Sequence, residues 1–159
     1  MDFILAAVLL LLALLMLAWP VLAVAAFVLV ALALLTCLRS GRMAVRGRTL
    51  TRAGWLLTAA AVCTATAAYG YGLVATTFGA WTDPDDRCAL AQPETYGYGY
   101  RGPDGGTQSM WPLHDTTCGP ELVPGFVNPL VAGSAGLFVV LAVIMTVVKV
   151  RSRRRPRQG

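Results

Sequence analysis

Residues 3–38 carry no charged side chain, and this unbroken apolar run of 36 constrains the chain more than anything else in it. A helix of about 20 residues already spans the hydrocarbon core of a bilayer. A straight helix the length of the run reaches ~54 Å. It would need a tilt near ~56° to fit a core ~30 Å thick, outside the usual range of roughly 0–40°. Pro20 lies close to the midpoint and lacks the N–H that a helix interior uses. Trp19 precedes it, and tryptophan favours the membrane–water boundary. The length arithmetic therefore predicts two short antiparallel helices, 3–19 and 21–38, turning at Trp19-Pro20. A kinked, partly re-entrant segment is the alternative, because the turn holds no Gly, Asn or Asp. A cleaved leader is not expected. Ala23-Val24-Ala25 looks like a cleavage site, but Met1-Asp2-Phe3 brings no positive charge, and cleavage would leave an apolar remnant too short to span.

Charge along the rest of the chain sets an expected orientation. Arg39, Arg42, Arg46, Arg48 and Arg52 fall in one short segment, and Lys149, Arg151, Arg153, Arg154, Arg155 and Arg157 in the tail, with no acid in either. Residues 82–129 hold two arginines against seven acids, a net of −5. The positive-inside rule places the 39–52 loop and the 151–159 tail in the cytoplasm and the acidic loop outside. The expected fold class is an all-α membrane protein forming a single membrane domain. Its four short transmembrane helices lie at about 3–19, 21–38, 53–77 and 130–150, with one long disulfide-containing exterior loop at 82–129. Both termini are then expected in the cytoplasm, and the chain is expected to be a multi-pass membrane protein.

Helices in lipid associate through small residues that let backbones approach. Ala60, Thr64, Ala68, Gly72 and Thr76 recur every four residues in the third span, and Ala132 and Gly136 repeat the spacing in the fourth. Gly70, Gly72 and Gly79 leave the end of the third span loosely defined, between Val74 and Ala80. The cysteines form two classes. Cys88 and Cys118 share the exterior loop, where thiols oxidise, and a bridge between them would contribute roughly 3–4 kcal/mol by restricting the unfolded chain. Cys37 and Cys63 read as small apolar packing residues.

The exterior loop carries whatever specificity the chain has. Tyr96, Tyr98 and Tyr100 alternate with glycine, a tract that could stack on sugars or a partner protein, or form a flexible hairpin lying on the membrane surface. Trp111 and His114 are further candidate contact residues. His114-Asp115 invites a metal or acid–base reading, but one histidine and one carboxylate fall short of a ligand set once Cys118 is bridged. No metal, cofactor or catalytic residue is expected.

Trp111-Pro112-Leu113-His114-Asp115, Cys118, Leu122-Val123-Pro124 and Val127-Asn128-Pro129 resemble a loop pattern in small actinobacterial integral membrane proteins. The resemblance implies a membrane protein of similar layout and no particular activity. Twelve arginines to one lysine fit the GC-rich genome such a source implies.

Three classes of function compete. A structural or interaction protein would display the loop to another envelope or membrane protein, with the lipid bilayer as its other partner and homo-oligomers open. A small transporter or channel coupled to ions needs an ionisable residue within a span, and the span interiors have none. A membrane thiol oxidoreductase usually has a close Cys-x-x-Cys pair, which is absent. Nucleic-acid binding by the basic tail is not expected, since the positive-inside rule already accounts for those charges. The interaction reading leads.

Overall fold

The computed structural model describes residues 2–39, 46–77, 88–90 and 106–154. It is mostly helical. Helix α1 covers Asp2–Arg39, α2 Arg46–Ala75 and α3 Val127–Arg154. A two-stranded antiparallel hairpin, β1 at Gln108–Met110 and β2 at Leu113–Asp115, lies between α2 and α3. Among the described residues three helices are long and apolar enough to cross a membrane, over Ala6–Arg39, Leu50–Ala75 and Val127–Arg151.

The expected break at Trp19-Pro20 does not occur; α1 runs through Pro20 as one helix, so the two expected spans 3–19 and 21–38 are one, and the described residues hold three helices of spanning length rather than four. Magnitudes explain the outcome. Proline inside a helix forfeits one hydrogen bond at about 3 kcal/mol. A hairpin turn in a wholly apolar segment would leave several backbone groups unpaired, each at several kcal/mol in lipid. Hydrocarbon also need not cover the whole run: Leu12 and Met16 pack against the cluster of Ala68, Leu73, Leu113, Val123, Val127 and Val131, so protein covers part of the first half of α1, while Phe3, Ile4 and Leu9 stay exposed. The fold is likewise not purely helical, because the segment before α3 forms the hairpin. Helix α2 begins at Arg46, earlier than expected, and α3 takes Pro129 into its first turn, where a missing N–H costs nothing.

The chain divides into two compact units, Met1–Pro20 with Thr66–Val131, and Val21–Ala65 with Ala132–Gly159. In the first, Ala68, Leu73, Leu113, Val123, Val127 and Val131 form the core, with Tyr69 and Tyr71 packed against it. A second cluster joins Cys88 and Cys118 to Ala89 and Leu122. Gly70 lets α1 and α2 touch backbone to backbone: a Cβ there would sit 2.6 Å from the Leu15 carbonyl oxygen. In the second unit the buried residues are Ala26, Ala33, Ala53, Thr58, Ala60, Ala61, Ser134 and Met145. Threonine hydroxyls there bond back to their own helix, Thr58 to the Gly54 carbonyl at 2.8 Å and Thr64 to the Ala60 carbonyl at 2.9 Å. Each hydroxyl thereby has a partner within its own helix.

The small-residue stripe on α2 packs as expected at Ala60, Ala68, Gly72 and Thr76, all buried. The one on α3 does not: Ala132 and Gly136 are exposed, and nothing lies within 4 Å of a Cβ at Gly136. Cys63 is half-buried, but Cys37 faces outward, so its packing role is also corrected.

Candidate functional site

The disulfide is formed. The sulfurs of Cys88 and Cys118 are 1.96 Å apart with Cα atoms 5.1 Å apart, and both residues are buried. Residues 106–128 build a small body around it. Neighbouring residues on a strand point to opposite faces, and β2 uses that alternation. Leu113 and Asp115 point inward and are buried, whereas His114 faces out, opposite Ser109 on β1. His114 and Asp115, adjacent in sequence, are thus sent to different environments and form no joint metal or acid–base site.

Asp115 is the inner hub. Its Oδ2 accepts from the Thr77 amide and the Thr77 hydroxyl, both at 2.7 Å. Its Oδ1 accepts from the Thr117 amide at 3.0 Å and the Thr117 hydroxyl at 2.6 Å. Burial pushes this carboxyl's pKa up, but the four hydrogen bonds from Thr117 and Thr77 outweigh it and hold the group below the usual aspartate value. The loop to α3 is tied just as closely. Glu121 Oε1 accepts from the amides of Asp115 at 2.9 Å and Val123 at 3.1 Å, while its Oε2 meets His114 Nδ1. Asn128, in the first turn of α3, pairs with both backbone groups of Leu113 at 2.8 Å each, as a neighbouring strand would.

The outward face carries Thr107, Ser109, His114 and Thr116, with Glu121 reaching back to it. His114 Nε2 lies 3.1 Å from Thr107 Oγ1, so carboxylate, imidazole and hydroxyl form one string. The Thr107 amide is taken by Thr116 Oγ1 at 3.1 Å and cannot serve as an oxyanion donor. The string links β1, β2 and the following loop. Among the described residues no group of three or more His, Cys, Asp or Glu side chains could hold a metal.

Of the candidate contact residues, Trp111 is exposed at the hairpin turn, where its peptide bond to Pro112 is cis, and His114 is half-exposed. Tyr96, Tyr98 and Tyr100 lie outside the described residues. The residues quoted for the loop resemblance converge: Leu113, Asp115, Cys118, Val123, Val127 and Asn128 are all built into this body. Sequence reasoning missed the roles of Asp115, Glu121 and Asn128. A signal existed for Asp115, since Asp followed by Thr-Thr is a pattern that bonds its own backbone two residues on. No protein-family profile, curated protein or solved structure matches this chain.

Proposed function

We propose that this is an interaction protein of a bacterial plasma membrane, anchored by α1, α2 and α3, which presents the outward face of its disulfide-pinned body to another envelope or membrane protein. The observation that carries the reading is the preorganisation of that face. Thr107, His114, Thr116 and Glu121 hold one another in place, so little ordering entropy is lost when a partner docks. The buried disulfide argues against a thiol oxidoreductase, which needs an accessible, activated thiol. The uncharged span interiors argue against ion-coupled transport.

Three spans put the termini on opposite sides. With the arginine-rich 39–52 segment and the tail in the cytoplasm, the N-terminus is exterior. The expectation of two cytoplasmic termini belonged to the four-helix layout. Reporter fusions at residues 2, 42, 100 and 157 should read out, in, out, in; a cytoplasmic N-terminus overturns the three-span reading. For function, a photo-crosslinking residue at Ser109 in intact cells should give a discrete adduct that C88A and C118A lose equally. An adduct pattern indifferent to both substitutions overturns the role of the body.

A further inference from the structure

The hairpin does not point away from the helices but runs back along α2. Three contacts fall in order: the Thr77 amide meets Asp115, a Cβ at Gly72 would sit 2.9 Å from Leu113 Cδ2, and the Tyr69 hydroxyl donates to the Met110 carbonyl at 3.1 Å. Positions 77 to 69 cover about 12 Å along a helix. Side chains lean toward the helix N-terminus, which carries the tyrosine hydroxyl further the same way. Tyr69 and Gly72 both lie within the apolar stretch Leu50–Ala75. That stretch is 26 residues, ~39 Å against a hydrocarbon core of ~30 Å, so the excess is ~9 Å, about six residues for its two ends together, and Tyr69 lies at or inside the edge of the core. The hairpin turn lies beside Tyr69.

Two independent features mark the same level. Trp19, Tyr71 and Phe126 form an aromatic row, with ring centroids 5.1 Å and 6.0 Å apart, and aromatic rings collect at membrane interfaces. The hairpin is also graded in charge. Residues 107–113 have none, His114 sits in the middle pair of the ladder, and Asp115 is in the pair farthest from the turn with Glu121 bonded to it. At the turn, Met110 and Trp111 are 40% and 58% exposed, and Phe126 is 57% exposed. Water is a poor solvent for that group, whereas the boundary between headgroups and acyl chains suits it.

We infer that the Met110-Trp111-Pro112 turn dips into the exterior leaflet and anchors the body on the lipid interface, which leaves the Thr107–His114–Glu121 face turned to the partner. The inference rests on the reading that the three helices cross a bilayer, and the experiment separates the two. Full-length protein carrying Trp111 as its only tryptophan (W19F, W55F, W81F) goes into liposomes whose acyl chains are brominated either near the headgroup or near the chain middle. A Trp55-only protein reports insertion of α2. Trp111 should lose at least as much emission as Trp55, and more to the shallow bromines than to the deep ones. Trp55 quenched with Trp111 unquenched overturns the dipping turn and leaves the spans intact; neither quenched overturns both. Oxidative footprinting of the wild-type chain in the same liposomes needs no substitution. Met110 and Trp111 should be protected despite their exposure in the protein itself, and rapid oxidation of both overturns the proposal. Protection lost on diluting protein into excess lipid would point to a second copy as the cover and also overturn it.

Discussion

The two units of this chain are held together by different physics. In Val21–Ala65 with Ala132–Gly159, almost everything buried is small: five alanines, Thr58 and Ser134, with Met145 the one large side chain. In Met1–Pro20 with Thr66–Val131, the buried set includes Leu73, Leu113, Val123, Val127, a charged Asp115 and a disulfide. Lipid gives apolar side chains no reason to leave it, so helices inside it pack by close backbone approach over small residues. Water does give that reason. A segment that must fold partly in water buries large side chains and pairs its polar groups, and among the described residues no buried side-chain polar atom lacks a partner. The contrast is between packing by close backbone approach and packing by large side chains around a covalent link.

The largest expected effect breaks the disulfide-pinned body and spares the helices. C88A and C118A should each cost the body about 3–4 kcal/mol, the double variant no more, because all remove one cross-link. Limited proteolysis should then cut within 106–126 while the three helices stay inserted. Unmodified wild-type protein should resist alkylation at both positions until reduced, and free thiols in protein from intact cells would remove the bridge from the argument.

Next comes Asp115. D115A leaves the buried amides of Thr77 and Thr117 without their acceptor, a loss of about 1–3 kcal/mol. Acid should reproduce it. The folded pKa is depressed, so the stability Asp115 adds is present above its unfolded value near ~3.9 and is lost as pH falls through the lowered folded value. Proteolytic protection of 106–126 should hold at neutral pH and fade only below the usual carboxylate range, with D115A flat over the same window. Fading near neutral pH would mean that another group controls the body.

Glycine substitutions provide a finer comparison. G70A should cost about 1–3 kcal/mol, because the new methyl meets the Leu15 backbone, which cannot swing aside. G54A meets the Met145 sulfur at 2.5 Å, the end of a flexible side chain that can rotate away, so a smaller loss is expected. G136A meets nothing and should gain about 0.5–1 kcal/mol from helix preference alone. Thermal unfolding in one detergent would rank all three, and equal values would refute the distinction between rigid and yielding contacts.

Long apolar helices over most of 53–77 and 130–150 and the Cys88–Cys118 bridge were legible in sequence because each rests on a local property: hydropathy over a window, or two thiols in one loop. The hairpin was not, since Gln108–Met110 and Leu113–Asp115 are too short to show a period. Their strand geometry comes from pairing with each other and from Asn128 continuing the ladder. The inner and outer roles of Asp115 and His114 depend on which face of β2 meets α2, which no spacing of residues states.

Pro20 draws the same boundary most sharply. The sequence by itself determined that residues 3–38 are apolar and that position 20 lacks an N–H. Whether that missing bond breaks the helix is a comparison between one lost hydrogen bond and the several that a turn would strand, and it also depends on what covers the helix once formed. Leu12 and Met16 find their cover in the cluster of Ala68, Leu73, Leu113, Val123, Val127 and Val131, all far later in the chain. Only the tertiary structure brings them together.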